Sequence, residues 1–419
     1  MQVNIAQFLY LNKMKLGVLK ISTGCLQCCM LRSVSRQIKM TSNLCLVRHC
    51  STSTGVRRKM KPRMKAWQIH QYGGNEELVL SETAKIPEIK NPKDILIEIH
   101  AASVNPIDVR MREGYGSTVV NQMRKWFGTS SGGSEFPLTL GRDFSGVVKQ
   151  TGHGVSRYKP GDEVWGALAP ERPGTHAQYC VAGEKEICYK PKSLSHLEAA
   201  SIPYVALTTW AALCMVGEMT EKNTPGRRVL IHGGAGGIGT FAIQLMKSWG
   251  AHVITTCSTD AIPVVKQCGA NDIIDYTTQD VSDVLRNLDK VDVVLDPIGG
   301  ETPSFTLDVL RSWSGAKYIS LVMPVLPAID KLGMIGGLAQ SLMDFNLNAI
   351  KSFTKGGINY RWAFFMPNAN ALKKITSMVD DGQIQPIIEK VFKLDDLPEA
   401  YEKVGKGKGR GKTVIDTTS

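Results

Sequence analysis

No aspartate or glutamate precedes Glu76, although the 419-residue chain carries 38 acidic residues. Thirteen of its 50 lysines and arginines lie at or before Lys65, so the other 37 nearly balance the acids. The formal charge of +12 therefore belongs to an N-terminal stretch. A basic surface running along the whole chain, of the kind that binds nucleic acid, is excluded. Long apolar runs are missing too: none approaches the roughly 18 uninterrupted residues of a membrane-spanning helix. Cysteines in tight pairs are absent beyond Cys50. Cys180, Cys188, Cys214, Cys257 and Cys268 are an odd number at wide spacing, which argues against a disulfide framework and a zinc-ribbon lobe. They point to a reducing compartment.

The acid-free, basic, Ser/Thr-containing N-terminus has the composition of a mitochondrial transit peptide. Arg48 stands three residues before Ser51, which predicts a cut there, a presequence over residues 1–50 and a matrix destination. Cys25, Cys28, Cys29, Cys45 and Cys50 would leave with it. A basic arm holding nucleic acid or anionic lipid has the same composition. The remainder, with 43% apolar and 21% charged residues over the chain, reads as an ordinary globular enzyme long enough for two domains.

Residues 64–195 are short alternating stretches such as "DILIEIHAAS", punctuated by Gly and Pro, and predict a β-rich, barrel-like unit. Over residues 196–380 strand-like and helix-like runs alternate, the pattern of a doubly wound parallel sheet. Residues 381–419 read as strands again, expected to return to the first unit. The expected class is thus α/β.

Five glycines fall within seven positions of "LIHGGAGGIGTFAIQLMK", between a strand and a helix. Gly234, Gly236 and Gly239 form a G-x-G-x-x-G spacing, with Gly233 and Gly237 added. In strand–turn–helix context these serve a tight turn, close approach of a pyrophosphate, and helix–sheet contact. The second strand, "HVITTCST", ends without the carboxylate that grips a ribose 2′-hydroxyl. Ser258 could instead donate to a 2′-phosphate, and Asp260 follows too late unless a loop swings it nearer. NADPH is the expected cofactor.

"AASVNPIDVRMREGYG", "LGRDFSGVV", "KPGDEVWG", "GGAGGIGTFAIQLMK" and "GRGKTVID" resemble the zinc-free quinone oxidoreductase branch of the medium-chain dehydrogenase/reductases over residues 64–419. The resemblance implies a GroES-like β-barrel catalytic domain, a Rossmann domain and a cleft site between them. Zinc-dependent relatives place a cysteine in the segment matching "SVNPIDV" and a Gly-His-Glu motif where this chain has Gly141-Arg142-Asp143. With those positions changed, no metal is expected. Carried over, the cofactor loop is Gly234, Ala235, Gly236, Gly237, Ile238 and Gly239. Ser258 and Tyr276 would flank the adenosine half, Pro297 and Leu321 the ribose and nicotinamide. Lys408, Gly409 and Arg410 would close on the cofactor. Tyr115 is the implied proton donor, by likeness to enoyl-thioester reductases, since a phenol keeps its proton at neutral pH. Asn105 and Asp108 would border the substrate.

Two stretches lie outside these motifs. Residues 117–136 read as a long loop carrying Trp126 and Phe127. Ile335, Leu338, Leu342, Phe345, Ile350 and Phe353 make an apolar helical stripe, readable as core or a homodimer face, or as a cover for a quinone tail or a membrane contact. The expected activity is NADPH-dependent reduction of a quinone-like, ubiquinone-related small molecule. A 2-enoyl-thioester reductase is one competing reading. The other is an NADPH-binding interaction protein with little turnover, for which the resemblance implies a reticulon-type membrane partner.

Overall fold

The computed structural model describes residues 62–128 and 135–418. The expected presequence, with the five cysteines it would carry, lies outside these residues. Short half-buried stretches form β1 (Arg63–Gln68), β2 (Val79–Lys85), β3 (Asp94–Val104), β4 (Asp143–Thr151), β5 (Glu163–Ala167), β6 (Tyr179–Gly183) and β7 (Ile187–Tyr189). Helices α1 (Pro106–Arg112) and α2 (Ser117–Phe127) follow β3. Short strands then follow as β8 (Arg228–Ile231), β9 (His252–Cys257), β10 (Asp272–Asp275), β11 (Val293–Asp296), β12 (Lys317–Ser320) and β13 (Asn359–Trp362). Their layer is covered by α3 (Pro203–Thr209), α4 (Gly237–Ser248), α5 (Val325–Gly356) and α6 (Ala369–Asp380), among shorter helical segments. The chain closes with β14 (Ile388–Lys393), α7 (Leu397–Gly405) and β15 (Lys412–Asp416).

The six central strands pair in parallel in the order β10-β9-β8-β11-β12-β13, the doubly wound arrangement with its switch between β8 and β11. Such strands are covered on both faces and read as near-continuous apolar runs, as "RVLI" and "VVLD" do. The other large sheet runs β14-β15-β3-β4-β5-β7, with β6 also on β3. Thr413 to Asp416 of β15 lie antiparallel to Val104 to Ala101 of β3. The last strand therefore joins the first unit of the chain. The molecule is α/β, a GroES-like β-barrel beside a Rossmann sheet.

Ile95, Ile97, Phe144, Val164 and Tyr401 centre the barrel core. Val229, Ile231, Phe241 and Leu245 centre the core under α4, which also takes in Trp165 and Ala167 of β5. The two units share buried surface through α3. The run His196–Val216 is long and apolar enough to cross a membrane by composition alone, but it is mostly buried inside this protein. Cys180, Cys188, Cys214, Cys257 and Cys268 are free thiols.

Two expectations need correction. Ser117–Phe127 is a helix rather than part of a loop. Gly116 turns the chain with φ +73°, and the Asp330 carboxylate accepts from the N–H groups of Gly116 (2.6 Å) and Thr118 (3.0 Å). A cap supplied from more than two hundred residues away is invisible to a local reading. The stripe on α5 is not core. Ile335, Leu342, Ile350 and Phe353 are exposed, whereas Phe345 packs on Tyr360 and Trp362, and Leu338 is half-buried. Helical spacing identifies a face but not what covers it.

Candidate active site

The glycine loop connects β8 to α4. A Cβ on Gly234 would lie 2.1 Å from Thr255 Oγ1, and one on Gly239 would lie 2.4 Å from the Gly233 carbonyl oxygen. The protein itself demands those two glycines. Gly236 is different: a Cβ there would meet only the Gly233 oxygen, at an ordinary 3.6 Å. The protein leaves that space open at the start of a 12-residue helix, whose first-turn N–H groups have no intrahelical acceptor. Partial positive charge and an open backbone suit a pyrophosphate. The residues present fit a dinucleotide. Ile238 packs on the core beneath, and Ala235 is buried.

The C-terminal return meets this loop. Gly411 N–H donates to the Ala235 carbonyl at 2.8 Å, and Gly236 and Gly411 form a parallel bridge. Just before it, Lys408, Gly409 and Arg410 are exposed. The Arg410 guanidinium is ion-paired with Asp260, whose Oδ1 accepts from Ser258 Oγ at 2.5 Å. Asp260 does swing in beside the end of β9, but with its charge already met. Tyr276 N–H donates to Cys257 O at 3.1 Å, so the exposed Tyr276 ring stands beside the same strand end. Pro297 directly follows β11, and Leu321 N–H donates to Asp296 O at 2.9 Å. Pro297 and Leu321 thus sit at neighbouring strand ends on the switch-point edge.

On the barrel side, Asn105 and Asp108 belong to a buried polar network. Asn105 Nδ2 donates to Asp143 Oδ2 at 2.9 Å, and Asn105 N–H donates to Asp108 Oδ2 at 2.8 Å. Ser103 Oγ donates to Asp143 Oδ2 at 2.5 Å, and Tyr204 N–H donates to the other Asp143 oxygen. Lys412 Nζ reaches in from β15 to Asn105 Oδ1 and to Asp143 Oδ2 at 3.2 Å. Arg142 donates to Ala169 O at 2.8 Å and lies 3.9 Å from Asp108 Oδ1. Two buried cations thus face two buried carboxylates, the pairing that makes buried charge tolerable. Balance is incomplete at one end: Asp108 Oδ1 and Arg142 Nε and Nη2 find no hydrogen-bond partner among the described residues. Burial pushes the Asp108 carboxyl up to about 6, against the pull of Arg142. Burial likewise pushes His176 down to about 3, so its imidazole is neutral. Its Nε2–H donates to Ser103 O at 3.2 Å while Nδ1 accepts from Tyr401 at 3.1 Å.

Lys412 is also the link to the glycine loop. A Cβ on Gly237 would lie 2.8 Å from Lys412 Cδ and 3.1 Å from Val205 Cγ1. One side chain therefore covers the first turn of α4 and ends on Asn105. Tyr115 follows α1, with Arg110 5.8 Å from its ring centroid, and its hydroxyl makes no hydrogen bond among the described residues. Burial raises its pKa, so the phenol keeps its proton. Tyr204 is a second such phenol, raised by burial and by Asp108, and stacked on Phe365 with centroids 4.6 Å apart. Sequence reading missed Tyr204, Phe365, Arg142 and Lys412 as site residues. The "GRGK" string was in view, but nothing local indicates that its lysine crosses to Asn105.

Gly141-Arg142-Asp143, which the resemblance matches to the Gly-His-Glu motif of zinc-dependent relatives, has its arginine and aspartate buried. Among the described residues no three His, Cys, Asp or Glu side chains converge as metal ligands would.

Comparison with known proteins agrees with this architecture. Residues 91–218 match the alcohol dehydrogenase GroES-like domain, and residues 268–415 match the zinc-binding dehydrogenase family. The chain is 48% identical over 353 residues to the mitochondrial NAD(P)H oxidoreductase RTN4IP1 of Homo sapiens, covering 84% of this chain and 89% of that one. It is 36% identical to the mitochondrial reticulon-4-interacting protein 1 of Caenorhabditis elegans, covering 84% and 94%. Among solved structures, the quinone oxidoreductase of Coxiella burnetii superposes with a TM-score of 0.68 at 31% identity, covering 84% and 99%. With its glycine loop, GroES-like barrel and full-length relatives in agreement, the chain belongs to the medium-chain dehydrogenase/reductase superfamily and, within it, to the mitochondrial NAD(P)H oxidoreductases.

Proposed function

We propose that this oxidoreductase works with NADPH, without zinc, on a quinone-like, ubiquinone-related acceptor in the mitochondrial matrix. The observation that carries the reading is the span of Lys412 from the first turn of α4 to Asn105, which makes the cofactor cradle and the barrel-side network one continuous site. A bound nicotinamide would supply hydride. Gly236 and the first turn of α4 would hold its pyrophosphate, with Gly411 fixing the loop. Ser258 and Arg410 would take the 2′-phosphate by turning from Asp260, which holds both of them here. Tyr115 would give its proton to the acceptor oxygen that gains charge. Arg142 and Lys412 place cations, each facing a buried carboxylate, in the barrel-side network where the resemblance puts the metal of zinc-dependent relatives, and this supports direct reduction of a conjugated acceptor. Leu326 lies 3.1 Å from a Cβ placed on Gly116, giving the Tyr115 side an apolar wall that suits a quinone better than a phosphopantetheine. A reticulon-type membrane protein is the proposed macromolecular partner, from the nematode relative's name.

Steady-state oxidation of NADPH and NADH with short quinones, prenylated quinones and enoyl thioesters tests the reading. Preferred turnover of NADPH with quinones supports it. Faster enoyl-thioester turnover would replace the acceptor class, and tight NADPH binding without any acceptor-dependent oxidation would make this an interaction protein.

A further inference from the structure

The outer face of α5 is the largest feature that hydride transfer leaves unused. Ile335, Leu342, Met343, Leu347, Ile350 and Phe353 are all exposed, Ile335 at 88% and Ile350 at 60%. Counted at 100° per residue, they share one side of the helix, while Gly337, Ser341 and Ser352 are buried on the other. Between Ile335 and Ile350 no exposed residue is charged. A contiguous apolar face of this kind marks a contact surface on a protein that is otherwise well packed.

Three observations say what covers it. Trp313, 71% exposed, packs edge-on against Phe353 with centroids 5.7 Å apart, an amphipathic ring at the end of the stripe. Lys331, Lys351 and, on the adjoining α2, Lys125 are exposed cations with no ion pair among the described residues. Finally, the first turns of α5, before the chain breaks from helical geometry at Gly333 (φ +73°), hold α2 through Asp330 and lie beside Gly116, and the stripe begins two residues after that break.

We propose that this face docks on a lipid bilayer carrying anionic head groups. The apolar side chains enter the acyl boundary, Trp313 sits at head-group level, and the lysines extend to lipid phosphates. A second identical copy would offer these lysines little negative charge from its own stripe, where Asp344, half-buried, is the one carboxylate between Ile335 and Phe353. Anionic lipid answers every one of them. With the quinone reading of the site, on which this last step rests, docking brings a water-insoluble acceptor to the Tyr115 side without passage through water.

The test is flotation of the full chain with phosphatidylcholine vesicles containing about a quarter phosphatidylglycerol. Flotation is read at about 0.1 M and at about 0.5 M salt; the higher salt screens both the basic N-terminal stretch and the lysines, leaving the apolar stripe to hold the chain at reduced partitioning. The wild type is expected to float, and Met343→Glu/Ile350→Glu to lose at least about tenfold in partitioning. Both should keep the same melting temperature and the same turnover of a water-soluble quinone. Bromine-labelled acyl chains should quench tryptophan emission, and Trp313→Phe should lose part of that quenching while still binding. Equal flotation of variant and wild type, or no quenching, overturns the proposal. So does a concentration-dependent dimer that the double variant abolishes without any vesicle binding. Because flotation is read without an acceptor, it fails or succeeds independently of the quinone assignment.

Discussion

Lys412 Nζ lies 3.2 Å from Asp143 Oδ2, joining the last strand of the chain to the first residue of β4. Both side chains are buried, so removing one partner strands the other's charge. Lys412→Met should cost about 3–5 kcal/mol in urea unfolding. Lys412→Met/Asp143→Asn should recover a large part of that, because it removes both charges. A double variant no more stable than the single one would disprove the pairing.

Gly236 and Gly239 separate the protein's needs from the cofactor's. Gly236→Ala fits the empty protein, so its melting temperature should stay within a few degrees while NADPH affinity falls by about tenfold or more. Gly239→Ala drives a methyl into the Gly233 carbonyl and should destabilise the fold itself. Calorimetry of NADPH binding and thermal melts on both variants give the comparison. Unchanged affinity in Gly236→Ala would remove the loop from the cofactor site.

Two buried-edge phenols compete for the role of proton donor. Tyr115→Phe should lower kcat by about 10²-fold with NADPH affinity nearly unchanged. Tyr204→Phe keeps the stack on Phe365 and should lower kcat less than about tenfold if that ring contact is what Tyr204 contributes. The reverse order in single-turnover rates would assign the proton to Tyr204.

Arg410 is ion-paired with Asp260, whose other carboxylate oxygen accepts from Ser258. Arg410→Ala should raise the NADPH KM by about 10- to 100-fold, the worth of a charge-assisted bond, and leave the NADH KM nearly as it was. Asp260→Asn frees the guanidinium and should sharpen the preference for NADPH. Parallel changes in both KM values would mean that Arg410 only shapes the loop.

Acid stability should reveal two opposed groups. His176, held neutral down to about 3, lets the unfolded chain take up a proton first, so stability falls as pH drops below 6.5. Asp108 protonates in the fold near 6 but at about 3.8 when unfolded, so it stabilises the fold over the same descent. Asp108→Asn should therefore steepen the loss of melting temperature between pH 6 and pH 4. Superimposable profiles of the variant and the wild type would exclude Asp108 as the compensating group.

Local patterns sufficed for much of the architecture. The alternation in "DILIEIHAAS", the apolar runs "RVLI" and "VVLD", and the glycine spacing after β8 each report a period or a steric need expressed within a few residues. The arginine at position 142 is likewise readable one letter at a time, whereas the strand end after "HVITT" reads as lacking a carboxylate and the fold brings Asp260 to it. Charge segregation before Glu76 needed no fold at all.

What the letters could not contain was adjacency between distant segments. Asp330 starts a helix at Ser117, Lys412 finishes on Asn105, Arg410 finds Asp260, and Tyr204 comes to the same centre as Asp143. Each joins groups far apart in the chain, where side-chain reach and burial decide the partner and no periodicity encodes it. The stripe on α5 makes the same distinction in reverse. Its spacing was plain in the sequence, but whether that face lay against protein or open to its surroundings depended on where the sheet ended. The chain specified periods and charges; packing chose the partners.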